Sequence, residues 1–182
     1  MKYLIFCVLW CLSSLGHAHQ ASDSYLTLNA DEDGRLDVRW DIALRDLALL
    51  VDLDADHNRQ LTWGEVDSHS LELQQLVQHN LQFRRDQRAC APFQFQPLAI
   101  DAHVDGQYAV FQLYTSCAAQ GQWAVQYRLL AGLDAGHRGI VVWQWQKQPA
   151  QTLVLAAADK FVALDQVYSA QSLVNFWYEG VA

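Results

Sequence analysis

Leu36, Val38, Trp40 and Ile42 occupy every second position of one short run. A two-residue apolar period sends alternate side chains to opposite faces, and it describes a half-buried β-strand and little else. Tyr25-Leu26-Thr27-Leu28 alternates in the same way, and Asp31-Glu32-Asp33-Gly34 lies between the two runs as a hairpin turn. Further strand-like runs follow: Leu81 to Arg85, Phe93 to Ile100, Tyr108 to Tyr114, Trp123 to Leu130, Ile140 to Trp145 and Thr152 to Ala156. Asp105-Gly106 joins two of them as a second hairpin. Many short strands rich in aromatic and β-branched residues predict a mainly β fold, an antiparallel β-sandwich. The chain carries no internal repeat.

The period changes once. Val66, His69, Leu73, Leu76, Val77 and Leu81 recur at three- and four-residue steps. That spacing marks one face of an amphipathic helix from about Trp63 to about Gln78. A shorter helical or irregular stretch, Leu44 to Leu53, precedes it. The β-protein therefore carries a helical insert, at about 44–80, between its second and third strands.

Composition excludes several classes. With 52% apolar and 18% charged residues in 182, the chain is too apolar to be disordered and too charged to be a multi-span membrane protein. Lys plus Arg number 12 against 20 Asp plus Glu, a net charge of −8. Phosphate neutralisation needs clustered cations, so no nucleic-acid partner is expected and metal ions are the natural ones.

Residues 1–18 read as a secretory signal peptide: basic Lys2, an apolar run from Tyr3 to Leu15, then Gly16-His17-Ala18 at a cleavage site. The run is short for a membrane span. Residues 19–165 form the expected β-sandwich domain, and 166–182 an aromatic tail containing Phe176, Trp177 and Tyr178. Cys7 and Cys11 would leave with the signal, and the remaining pair reads as a disulfide, Cys90 to Cys117. Both features predict a location in the periplasm or on the extracellular face of the cell envelope.

The sharpest motif runs from Asp54 to Glu65. Against a twelve-residue EF-hand loop, Asp54, Asp56 and Asn58 fall at positions 1, 3 and 5. Gln60 offers its backbone carbonyl, Thr62 binds directly or through water, and Glu65 closes the loop with a bidentate carboxylate. Ca2+ takes about six to eight hard oxygens, and one ligand every second residue lets the chain wrap the ion. Leu61 sits where an apolar residue packs the loop onto the fold. Thr62 and Glu65 also form the capping box T-x-x-E, which starts a helix. One position departs: Arg59 stands where the sharp turn prefers Gly, and a left-handed non-Gly residue costs about 1 to 2 kcal/mol. With three ionised ligands and that cation, the expected affinity is weak, about 10⁻⁴ to 10⁻³ M. Asp52, just before the loop, reads as a surface charge.

Cleavage after Ala18 would give His19 a free amine beside its imidazole, a chelate for Cu2+ or Ni2+ that His103 or His137 could complete. His57, His69 and His79 lack H-x-x-x-H spacing. There is no G-x-S-x-G, phosphate-binding Gly loop, H-E-x-x-H or C-x-x-C, so no enzyme activity is expected. Trp143 and Trp145 alternate with Gln, which fits packing within the sandwich.

His19-Gln-Ala-Ser-Asp-Ser-Tyr-Leu-Thr-Leu28, Trp40-Asp-Ile-Ala-Leu-Arg-Asp46 and Leu61-Thr-Trp-Gly-Glu65, with Tyr127-Arg-Leu-Leu130 and His137-Arg-Gly139, carry a resemblance over most of residues 19 to 180. The chain resembles the extracytoplasmic N-terminal region of HupE/UreJ-type membrane proteins. That resemblance implies a part in nickel or cobalt uptake for hydrogenase and urease maturation. Larger members continue from a segment similar to Phe176-Trp-Tyr-Glu-Gly-Val181 into a transmembrane bundle, whereas this sequence stops at Ala182. Only the outer domain is therefore carried over, its partner a membrane protein or a membrane domain of its own. The combined expectation is an exported, calcium-binding accessory module. A transition-metal module built on His19 and a metal-independent interaction domain are the alternatives.

Overall fold

The acidic hairpin turn forms where the sequence places it. Strands β1 (Asp23–Ala30) and β2 (Arg35–Ala43) pair antiparallel around it, with Leu28 opposite Val38 and Leu26 opposite Trp40. Gly34 has φ +89°, and a Cβ there would lie 2.4 Å from the carbonyl oxygen of Cys117. The turn thus needs glycine for both its backbone angle and its contact with the neighbouring strand.

The computed structural model describes residues 22–164. The signal segment, His19 and the aromatic tail from 166 onward lie outside the described residues.

After β2 come three helices: α1 (Leu44–Leu47), α2 (Trp63–Ser68) and α3 (Ser70–Asn80). The single helix read from the spacing is two helices, divided at His69 (φ −97°, ψ 10°). His69 Nδ1 lies 2.8 Å from the Glu65 carbonyl oxygen, next to Ser68, whose hydroxyl donates to the same carbonyl. These short side chains bond the local backbone, and that competition interrupts helices.

Next follow β3 (Leu81–Arg85), β4 (Arg88–Ala89), β5 (Gln94–Phe95), β6 (Ala99–His103) and β7 (Gly106–Ser116). β8 (Trp123–Tyr127), β9 (Arg138–Trp145), β10 (Gln151–Ala156) and β11 (Phe161–Ala163) complete the order. The run from Phe93 to Ile100 is interrupted at Pro97, between β5 and β6, because proline cannot donate to a ladder.

The strands form two packed sheets, one ordered β10-β9-β1-β2-β7-β5 with β6 beside β7, the other β11-β8-β3-β4. The fold is the mainly β sandwich expected, with one departure. β1 pairs parallel with β9, Leu26 against Val141 and Leu28 against Trp143, while the other pairs are antiparallel. The inward faces meet in one core containing Leu26, Leu28, Trp40, Trp123 and Trp143, all at most 1% exposed. Leu53, Val66, Leu73 and Val77 join that core, so the helical segment is anchored by its apolar face.

Cys90, just past β4, is disulfide-bonded to Cys117, just past β7, and the bond staples one sheet to the other. Among the described residues, no helix is long and apolar enough to cross a membrane. Closing a loop with a separation of 27 residues is worth about 3.5 kcal/mol in the chain-entropy model. Replacing both cysteines by serine should lower the melting temperature by about 7 to 14 °C, read by circular dichroism.

Candidate metal centre

The segment between α1 and α2 is held at both ends. Val51 and Leu53 are buried on the entry side, Val66 on the exit side, and Leu61 packs partly against the same core. The twelve residues between must therefore arch outward over a fixed base.

Asp54 organises the arch. Its Oδ1 accepts the Asn58 amide at 3.1 Å and its Oδ2 the Arg59 amide at 2.7 Å. Asp56 Oδ1 accepts the Asn58 amide as well, at 3.1 Å. His57 and Arg59 take positive φ, 57° and 64°. The turn expected at Arg59 is therefore present, and the strain sits in the backbone with arginine in place.

Glu65 returns from α2 to close the arch. Its Oε2 accepts the Thr62 amide at 2.8 Å and the Thr62 hydroxyl at 2.7 Å, while the Glu65 amide donates to Thr62 Oγ1 at 3.3 Å. This is the capping box read from T-x-x-E. Bonding to Thr62, with support from the Asp56 and Ala55 amides, holds the Glu65 carboxyl below the usual carboxylate range. Glu65 Oε1 is shielded from solvent and makes no hydrogen bond of ordinary geometry, while the Asp56 and Ala55 amides bond the carboxyl more weakly than Thr62 does.

One carboxylate oxygen each from Asp54, Asp56 and Glu65 lie within 4.8 Å of one another. Oxygens about 2.4 Å from a shared Ca2+ are separated by at most about 4.8 Å, a limit that these three meet. The remaining candidates stand around them. Asn58 Nδ2 donates to Asp56 Oδ2 at 2.8 Å, and its Oδ1 accepts the Gln60 amide at 2.7 Å. Its amide must rotate before Oδ1 can face the cluster. Thr62 is tied to Glu65, and Gln60 is exposed.

A second group, Asp41, Asp101 and His103, also clusters within 4.8 Å. Arg39 already occupies it, donating to both Asp41 oxygens and to Asp101, each at 2.8 Å. That bidentate pairing supplies the countercharge a metal would bring.

His137, one possible partner for His19, is fully buried with both ring nitrogens engaged. Trp40 Nε1 donates to Ser24 Oγ at 2.9 Å, Ser24 lies 2.8 Å from the Tyr127 hydroxyl, and that hydroxyl bonds His137 Nε2. His137 Nδ1 lies 2.6 Å from Ser22 Oγ, which donates to Asp46 Oδ2 at 3.0 Å. Ser22 spends its proton on Asp46, so His137 Nδ1 donates to Ser22. With a neutral imidazole, the form that burial favours, Nε2 accepts from Tyr127 and the protons run toward Asp46. Burial pushes the His137 imidazole down and the Asp46 carboxyl up. Local spacing does not join these residues, although each lies in one of the sequence segments quoted above, and Ser24 shares strand parity with inward-facing Leu26 and Leu28.

No protein-family model and no curated protein match this sequence.

Proposed function

We propose that this is a calcium-binding accessory domain acting outside the cytoplasm, with one EF-hand-like loop as its metal site. The observation that carries the reading is the convergence of Asp54, Asp56 and Glu65 carboxylate oxygens within 4.8 Å of one another. A divalent cation would balance the three converging carboxylates. All donors are hard oxygens, which favours Ca2+ over softer transition metals. Asp54, Asp56 and Glu65 would bind directly, with Asn58, Gln60 and Thr62 completing the shell. A single loop on a packed base suits a structural ion that fixes the segment between α1 and α2. The disulfide fits an oxidising compartment. The resemblance to HupE/UreJ-type proteins adds a context, the outer domain of a metal permease, in which the module would serve a membrane partner.

Titration with Ca2+ tests the reading. At 10 mM, ten- to a hundredfold above the expected dissociation constant, binding should stabilise the fold by about 1.4 to 2.7 kcal/mol. The melting temperature should then rise by about 3 to 10 °C. Trp63, 49% exposed within the loop, should sensitise Tb3+ luminescence that Ca2+ displaces. No thermal shift and no sensitised emission would reject the calcium reading.

A further inference from the structure

Of the three converging carboxylates, Asp54 and Asp56 lie in the arch itself and Glu65 is carried on α2. That helix has six residues, roughly 1.7 turns. So short a helix has little hydrogen-bond ladder of its own, and its direction depends on what holds its ends.

Both peptide groups of Glu65 are held by side chains. Its amide donates to Thr62 Oγ1 at 3.3 Å, within the capping box. Its carbonyl oxygen accepts the Ser68 hydroxyl at 2.7 Å and lies 2.8 Å from His69 Nδ1. A carbonyl only accepts, so Nδ1 carries the proton and donates. In a continuing helix that carbonyl would receive the His69 amide. Here the amide goes to the Val66 carbonyl at 3.2 Å, and the imidazole stands in its place.

His69 belongs to α3 as well. Its carbonyl oxygen accepts the Leu73 amide at 2.9 Å, which opens α3. Leu73 and Val77 sink that helix into the core. The residue that ends α2 with its side chain therefore starts a core-anchored helix with its backbone.

We infer that His69 is a positioning residue of the metal site, an inference that rests on the calcium reading. Its imidazole couples the Glu65 peptide to α3 and so keeps the Glu65 carboxylate turned toward Asp54 and Asp56. His69 stands outside the carboxylate cluster and acts through the backbone of a ligand. Partners of this kind orient a ligand before the ion arrives, and losing one costs about ten- to a hundredfold in metal affinity.

Sensitised Tb3+ emission from Trp63, with Ca2+ as competitor, gives the Ca2+ affinity of the parent chain and of two variants. His69→Leu keeps an apolar side chain at the break but has no donor, and should weaken Ca2+ binding about tenfold or more. His69→Asn places a side-chain N–H close to where Nδ1 stands and should restore affinity to within about threefold of the parent. Metal-free melting curves read by circular dichroism separate this role from a structural one. A histidine that only divides two helices would lower the melting temperature of His69→Leu and leave its Ca2+ affinity unchanged. Equal affinities in the parent and His69→Leu, or an asparagine variant as weak as the leucine one, would overturn the inference and leave the calcium reading standing. A parent chain that binds neither ion would remove both.

Discussion

Glu65→Gln should abolish the calcium response while leaving the metal-free fold intact. Glutamine keeps a carbonyl oxygen able to accept the Thr62 amide, and glutamine serves in capping boxes as glutamate does. The start of α2 and the burial of Val66 behind it therefore survive. What disappears is the negative charge and one of two chelating oxygens. Even outer-shell partners of a bound metal cost about ten- to a hundredfold in affinity, so losing the closing ligand should cost about a hundredfold or more. With the expected weak starting affinity, Ca2+ at 10 mM would then leave the melting temperature unmoved. A Glu65→Gln variant that is still stabilised by Ca2+ would place the ion elsewhere. Arg59→Gly works in the opposite direction, but modestly. Arg59 holds φ 64° in the metal-free loop, so the backbone strain is present before and after binding and largely cancels from the affinity. The gain left to glycine is removal of one exposed cation, which calorimetry should register as a few-fold tightening.

The loop was readable because its information is local. Oxygen-bearing side chains at Asp54, Asp56 and Asn58, a T-x-x-E cap and an apolar residue between them lie within twelve residues. The hairpin of β1 and β2 was readable for the same reason, since turn and alternation adjoin. The parallel pairing of β1 with β9 was not. It joins Asp23 to Arg138 across more than a hundred residues, and no local pattern encodes which distant strand becomes a neighbour. Helix division at His69 was also hidden. The apolar spacing runs through it unbroken, while the break comes from polar side chains bonding the backbone. Asp41 shows the limit of parity arguments. It alternates outward from Trp40 and Ile42, yet lies 5% exposed because Arg39 and His103 close over it.

His137→Ala should be among the most damaging single substitutions in the molecule, at roughly 4 kcal/mol. It opens a cavity in a sealed site and takes from the buried Tyr127 hydroxyl its acceptor on His137, at about 1 to 3 kcal/mol for that unsatisfied donor, while half-buried Ser22 keeps its bond to Asp46. Gly139 is part of the same construction. A Cβ there would lie 3.0 Å from two Tyr127 ring carbons, so glycine in β9 is what lets that ring reach His137. The chain of donors also gives stability a pH dependence. Desolvation lowers the His137 imidazole in the folded state from an unperturbed 6.5, so below that pH the unfolded chain takes up a proton that the folded one resists. Stability from this residue is complete above about 6.5 and drains away as pH falls toward the lowered folded value, at up to about 1.4 kcal/mol per pH unit. Asp46 acts with the opposite sign. Its carboxyl is raised from 3.8, so acidification through that higher value adds stability, and the two groups offset one another at the acid end. Denaturant melts between pH 7.5 and 5 should therefore slope downward for the parent chain. In His137→Gln the imidazole is gone and the slope should flatten, because nothing in the buried chain then titrates near 6.5. Equal slopes in the two proteins would mean that His137 protonates as readily inside the fold as outside it, and that the directed chain from Trp40 to Asp46 does not hold it neutral.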